Sequence, residues 1–493
     1  MISVRSLIGI GMCALVSLVG SNTVFAQGPA AAPAPTGTLQ ERVAELEKKS
    51  DAASLWNTLG FKISGYVDIS YVQNFNNPAT NVTNMRIFDT QANSFVPQLF
   101  QLMLEKPADA AGTGLERAGF RARMNFGAEA RFSRARTNFR PGTDNTEMDT
   151  QEIYAEYIAP IGNGLKIQVG KINTLVGYEV INSFENPNFS RTFMFGLSQA
   201  FTTTGIRFTY TFNPMVTASI GLVNGWDNIE DNNKSKTIEY LLAFTPHPRL
   251  GINWFGTWGG EQSNCQGAGT SAAIPATPGA GTCFNANGQI VPFGDPSAKR
   301  FVNGLIITTK PTDSDTIIFE PYYVNEGNAA LDPQKQPSLG GNASGNARWD
   351  GMVTYWIHDF NDQQQPHAFS LRGRGEIWED AGGFRACGGA INTNGGTNVC
   401  SGAPGAAPNG GFGTGGSVFN QAGTGLLSNG QTTPGFIAQT LWETTWTLQY
   451  KPVPNLITRI EGRYDHSNKT PFLRGSQPTN NQEQLGFEVI YLF

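Results

Sequence analysis

The sequence supplies few groups for catalysis. His247, His358, His367 and His466 are its only histidines, and no Gly-x-Ser-x-Gly turn offers them a nucleophile. Asp313-Ser314-Asp315 and the acidic run 227–231 resemble cation ligands. They lack the twelve-residue spacing of a calcium loop and read as solvated turns. Cys265, Cys283, Cys387 and Cys400 have no Cys-x-x-Cys or His-x-His companion, so a metal is not expected. In an exported chain they suggest two local disulfides, Cys265–Cys283 and Cys387–Cys400. No enzyme activity, metal or cofactor is expected. What remains is charge placed at every second residue. Arg121 and Arg123 alternate with Ala122 and Met124, and Arg372, Arg374 and Glu376 alternate with Gly373 and Gly375. Arg459, Glu461, Arg463 and Asp465 alternate with Ile460, Gly462 and Tyr464. Rings of such charges are how a pore selects ions.

Alternation of this kind requires strands, since residues i and i+2 share a face only there. The period is two from Phe61 to Tyr71, and again where Leu485, Phe487, Val489, Tyr491 and Phe493 alternate with Gln484, Gly486 and Glu488. The pattern gives about 16 candidate strands (range about 12–18), most of them long enough to cross a bilayer at a tilt. Their connections alternate. Short turns such as 160–164, 213–214 and 246–249 alternate with long segments such as 173–202, 260–299 and 380–435. Short turns at one end and long loops at the other are the signature of a closed antiparallel transmembrane β-barrel, with the turns in the periplasm. An Arg or Lys on the lipid face near mid-bilayer costs about 2–4 kcal/mol. Charges on these strands must therefore point inward. Lys62, Asp68, Glu152, Glu156 and Lys166 join the three alternating clusters as expected lumen residues. Tryptophans near strand ends, among them Trp56, Trp226, Trp254, Trp258, Trp349, Trp378, Trp442 and Trp446, suit interfacial girdles or the lumen. Phe493 provides a terminal aromatic of the kind read by barrel-assembly machinery.

The 493 residues are 39% hydrophobic and only 15% charged, with 58 glycines. This excludes a disordered chain, and the acidic balance of net charge −5 argues against nucleic acid as a partner. Residues 1–26 read as a cleaved secretory signal, with Arg5, an apolar stretch from Leu7 to Val19 and a small residue at Ala26. An Ala/Pro linker at 27–37 and a short periplasmic helix or coiled-coil segment at 38–57 precede the barrel at 58–493.

The stretch from Ile153 to Trp226 carries a family resemblance. Its residues are Tyr157-Ile158-Ala159-Pro160-Ile161-Gly162-Asn163-Gly164-Leu165, Val169-Gly170-Lys171, Gly177-Tyr178-Glu179-Val180-Ile181 and Asn188-Phe189-Ser190-Arg191-Thr192. Phe195-Gly196-Leu197-Ser198-Gln199-Ala200-Phe201-Thr202-Thr203-Thr204-Gly205 and Val223-Asn224-Gly225-Trp226-Asp227 complete it. In these the chain resembles the putative β-barrel porin-2 family, the OmpL-like porins of Gram-negative bacteria. Thr203 and Ala200 stand where the family pattern has His and Pro. The resemblance implies an outer-membrane channel and supplies no substrate.

The third long loop, about 173–202, is more hydrophobic than an exposed loop should be, with Tyr178, Phe193, Met194 and Phe195. It is expected to fold into the barrel as a constriction that includes Arg191, with Glu179 and Glu185 facing the Arg121/Arg123 wall. The expected function is a passive, water-filled diffusion channel for small hydrophilic solutes or ions. The alternative is a non-conducting surface or adhesion barrel that binds a partner through its disulfide-braced loops, and a lumen filled by bulky residues would favour it. Barrels of this strand number assemble as trimers, so a homotrimer in the outer-membrane bilayer is expected by analogy of fold alone.

Overall fold

A computed structural model describes residues 60–493, except 80, 134, 136–146, 232–234, 262–298, 328–345, 362, 364–366 and 382–438. The expected signal, linker, short helix and Trp56 lie outside the described residues, as do all four cysteines of the expected disulfides.

Sixteen antiparallel strands close into one barrel, each bonded to its neighbours in sequence. The first half comprises β1 (Lys62–Asn74), β2 (Ser94–Lys106), β3 (Ala118–Phe126), β4 (Met148–Ala159), β5 (Leu165–Asn173), β6 (Thr202–Asn213), β7 (Val216–Val223) and β8 (Thr237–His247). Next come β9 (Leu250–Gly259), β10 (Arg300–Thr309), β11 (Asp315–Glu326), β12 (Ala347–Asp359), β13 (Ala368–Asp380), β14 (Gln439–Val453) and β15 (Leu456–Ser467). A small hairpin, β16 (Phe472–Arg474) with β17 (Gln477–Thr479), lies in the loop before β18 (Asn481–Leu492). Alternation did not announce that hairpin, because three residues are too few to show a period. Two short helices, α1 (Ala130–Ser133) and α2 (Phe193–Ser198), belong to the second and third long loops.

Closure pairs β18 with β1, Val67 opposite Tyr491 and Tyr71 opposite Phe487. Gly65 and Phe493 exchange both backbone hydrogen bonds at 3.0 Å. The Phe493 ring stacks on Phe100 at 6.0 Å, and a Cβ on Gly65 would meet that ring at 2.7 Å. A bare glycine here lets the last side chain lie across the seam.

The faces separate along β14, β15 and β18. Trp442, Trp446, Leu448, Ile460, Leu485, Phe487 and Tyr491 are exposed outward, while Glu443, Thr445, Arg459, Glu461, Arg463, Gln482 and Glu488 are buried inside. The inner face is not polar all round, because Phe255, Val302, Ile318, Tyr322, Val324, Trp349, Val353, Tyr355 and Trp378 of β9–β13 form an apolar inner wall. Trp226, Trp349 and Trp378 are buried in this cluster rather than in a lipid girdle, whereas Trp254, Trp258, Trp442 and Trp446 are exposed on the outer face. Strands here can be apolar on both faces because the third loop, rather than water, covers the inner one.

Candidate functional site

The third loop connects β5 to β6 and lies inside the barrel. Its hydrophobic content explains the location. Val176, Ile181, Phe193, Met194, Phe195, Leu197, Ala200 and Phe201 are all buried, and they pack with the apolar wall. Thr192 caps α2 by accepting the Phe195 amide at 2.9 Å. The helix then presents Ser198, whose carbonyl accepts from the Tyr322 hydroxyl and whose Oγ accepts the Trp378 Nε1 proton at 2.5 Å. Ile87 of the first loop closes over α2, and a Cβ on Gly196 would meet Ile87 Cγ1 at 2.8 Å.

The opposite side of the loop runs along a charged wall made by β13–β15 and β18. Here the wall's side chains hold the loop's backbone. Glu461 accepts the amides of Phe189 at 2.7 Å and Ser190 at 3.0 Å. Glu376 accepts those of Phe193 at 2.7 Å and Met194 at 2.6 Å, where the open N-terminal amides of α2 favour a carboxylate. The arginines do the reverse. Arg459 donates to the carbonyls of Ser183 at 3.1 Å and Asn186 at 2.8 Å, and Arg372 to that of Pro187 at 2.9 Å. Arg463 Nη1 reaches the Arg191 carbonyl at 2.5 Å. Hydrogen bonds to charged groups are worth about 1.5–3 kcal/mol each. Outside α2 and at its open first turn the loop has unpaired amides and carbonyls to offer, and the wall satisfies them in place of water.

The charges also neutralise one another. Arg374 bonds Glu179 at 3.0 Å and Glu443 at 2.7 Å; Arg459 pairs with Glu488 at 2.9 Å; Arg463 pairs with Asp465 at 2.6 Å. Arg86 of the first loop reaches Asp465 at 3.0 Å. Across the barrel, Arg123 pairs with Glu152 at 3.2 Å, Arg121 with Glu105 at 2.8 Å, Lys171 with Asp149 at 3.0 Å and Arg207 with Glu239 at 2.7 Å.

The sequence-derived residues fall into three groups. Glu179, Arg191, Arg374, Glu376, Arg459, Glu461, Arg463 and Asp465 come together around the third loop, with Arg372 at its edge. Arg121, Arg123, Asp68, Glu152, Glu156 and Lys166 line other strands, Lys166 meeting Glu156 at 3.2 Å. Lys62 is exposed at the short-turn end of β1. The expected pairing of Glu179 and Glu185 with the Arg121/Arg123 wall is not what the fold builds. Glu179 is bound by Arg374 and by the amide and hydroxyl of Thr192, both at 2.8 Å, and Glu185 by Asn182 at 2.9 Å. Spacing along the chain reports a face, not which of sixteen strands a loop will meet.

Arg191 curls back on its own loop, donating to the carbonyls of Phe189 and Ile181 at 2.6 Å each. Glu129 of the second loop lies 3.9 Å from it. Burial pushes the Glu129 carboxyl up to about 7; Arg191 opposes this and the charges of Glu488 and Asp89 add to it. Glu443, Glu488, Arg86 and Glu129 were missed. Glu488 stood in the alternation of the last strand and was recoverable. Arg86 and Glu129 lie in loops, where no period marks an inward side chain.

Three comparisons place the chain beside known proteins. The family model described as putative beta-barrel porin-2, OmpL-like, matches residues 60–493. No curated protein matches. Similar solved structures include an anion-selective porin from Comamonas acidovorans, at 9% sequence identity over 88% of this chain and 99% of that one, with a TM-score of 0.47. The high-pH structure of Pseudomonas putida OprB matches at 11% identity over 90% and 97% of the two chains, TM-score 0.47. The outer-membrane channel DcaP of Acinetobacter baumannii matches at 8% identity over 88% and 97%, TM-score 0.46.

Proposed function

Because the chain belongs to the putative β-barrel porin-2, OmpL-like family of the Gram-negative outer membrane, we propose that it is a passive channel for small hydrophilic solutes whose bore is set by the third loop. The observation that carries this reading is the clamp on that loop. Glu461 and Glu376 each hold two of its amides, and Arg459 and Arg463 hold its carbonyls. A loop pinned across a barrel interior narrows it, and charges beside the narrowing bias which ions pass. Glu179, Glu185, Arg191, Arg121 and Arg123 are the constriction residues of this proposal. Phe493, stacked at the seam, is the proposed assembly signal, and a homotrimer the proposed assembly.

A second reading has an observation of its own. The apolar wall and the third loop bring a cluster of bulky side chains together inside the barrel, which favours a non-conducting barrel that binds a partner through its long loops. Planar-bilayer recording of the purified, folded full chain separates the two. The channel reading predicts discrete conductance steps, smaller than those of a barrel with its third loop released. A membrane that stays silent across repeated insertions, verified by protease protection in liposomes, would replace it with the second reading.

A further inference from the structure

Among the described residues, most cations inside the barrel are neutralised by a carboxylate within about 4 Å, but two on neighbouring strands are not. Arg372 of β13 spends Nε on Ser370 Oγ at 3.1 Å and Nη1 on the carbonyls of Pro187 at 2.9 Å and Asn186 at 3.4 Å. Its Nη2 carries no hydrogen bond among the described residues. Lys451 of β14 has one long contact, to the Gln363 carbonyl at 3.4 Å. The register puts both on the inner face toward the short-turn end, Arg372 opposite Thr447 and Lys451 opposite Ala368. Arg372, Lys451 and Arg459 lie within electrostatic reach of one another, and only Arg459 has its own carboxylate, Glu488. The carboxylate facing the pair is Asp359, opposite Ser370, and its Oδ1 is unbonded. Two cations thus confront one acid at a place where crowding like charges raises the free energy.

The surroundings of the pair are not uniformly polar. Ile357 of β12 stands opposite Arg372 in the register. Tyr178 of the third loop packs against Tyr355 at 5.0 Å, and its hydroxyl has no hydrogen-bond partner among the described residues. Tyr178, Ile357 and Leu241 are the partly buried residues at the border of the apolar cluster. Spare cationic donors and a free phenol therefore adjoin an apolar rim.

We propose that Arg372, Lys451 and the Tyr178 hydroxyl form a binding site within the channel for small organic monoanions that carry a flat apolar body, an aromatic carboxylate being the chemistry that fits. The guanidinium offers its free edge to the carboxylate, the ammonium adds charge without fixed direction, and the ring lies against Ile357 and Tyr178. A bare inorganic anion uses the cations but gains nothing from the rim. The assignment deepens the channel reading and rests on it.

Benzoate and acetate are the probes, applied to the full-chain protein in planar bilayers carrying chloride current. Benzoate should depress that current saturably, with a half-effect at least tenfold lower in concentration than acetate. Lys451→Gln, which leaves every third-loop contact intact, should weaken the benzoate effect severalfold. Arg372→Gln combined with it should weaken it tenfold or more, and Asp359→Asn should strengthen it. Equal potency of benzoate and acetate, or a benzoate effect unchanged in Lys451→Gln and in the double variant, overturns the site while leaving the channel standing. Complete absence of conductance defeats the channel reading instead. In that event, calorimetric titration of the detergent-folded protein with benzoate decides the site alone: saturable heat lost in the double variant supports it, and no heat overturns it.

Discussion

The two walls that hold the third loop do so by different physics. On the β9–β12 side, Phe255, Ile318, Tyr322, Val353 and Tyr355 present apolar surface, and the loop answers with Phe193, Phe195 and Leu197. This contact is non-directional and scales with area removed from water. On the β13–β18 side, Glu376, Arg374, Glu461, Arg463 and Arg459 bond the loop's backbone atoms individually. Those bonds are directional, and each buried charge depends on its partner remaining in place. The apolar wall makes the loop enter the barrel; the charged wall fixes where its backbone lies. A buried pair contributes little over an apolar substitute, but breaking one half of it is severe.

That asymmetry orders the expected effects. Arg374→Ala should do most, because it leaves Glu179 and Glu443 buried without their guanidinium. The expected cost is about 3–5 kcal/mol, read from urea unfolding in micelles, with a rise in single-channel conductance as the loop loosens. Ile318→Ala on the apolar side should cost about 2–5 kcal/mol through the cavity it leaves, yet keep the ion preference measured by reversal potential. If Ile318→Ala altered selectivity as much as Arg374→Ala, the division of labour would be wrong.

Next comes a pH dependence that belongs to the charged side. The carboxyl of Glu in an unfolded chain titrates near about 4.3, whereas burial holds that of Glu129 at about 7. The folded state therefore keeps the proton longer. Its contribution to stability is full below about 4.3, falls as pH rises through this window and levels off above about 7. Unfolding midpoints across that range should be flatter in Glu129→Gln, with the variant ahead of the parent on the alkaline side. Smallest is Tyr322→Phe, which deprives the Ser198 carbonyl of a donor and should cost about 1 kcal/mol by the same unfolding assay.

The difference between the walls also explains what could be read from sequence. The barrel was legible because alternation and loop parity are local properties, repeated in every hairpin. The period-two stretch from Phe61 to Tyr71 falls on β1, Lys62–Asn74, and the alternation from Gln484 to Phe493 falls on β18, Asn481–Leu492. The burial of Arg374, Glu461 and Asp465 followed from the same period. The partners of the third loop did not follow, because its contacts with β11, β13 and β15 join residues more than a hundred positions apart. The apolar inner wall was hidden for another reason. Where both faces of a strand are apolar, as with Trp349 and Met352 on β12, alternation no longer tells inside from outside. Gly486 is informative only once the loop is placed: a Cβ there would meet the Phe189 ring at 2.9 Å, so a residue that breaks the strand pattern is a seat for the loop.

The central claim is that the charged wall, by gripping the third loop's backbone, sets the bore of the channel. It is tested most directly by single-channel recording of Glu376→Ala combined with Glu461→Ala, which removes all four amide clamps while leaving the strands paired. The account predicts conductance steps several times larger than those of the parent protein, with weaker ion preference. Steps of unchanged size, from a variant whose barrel still migrates as folded, would contradict it.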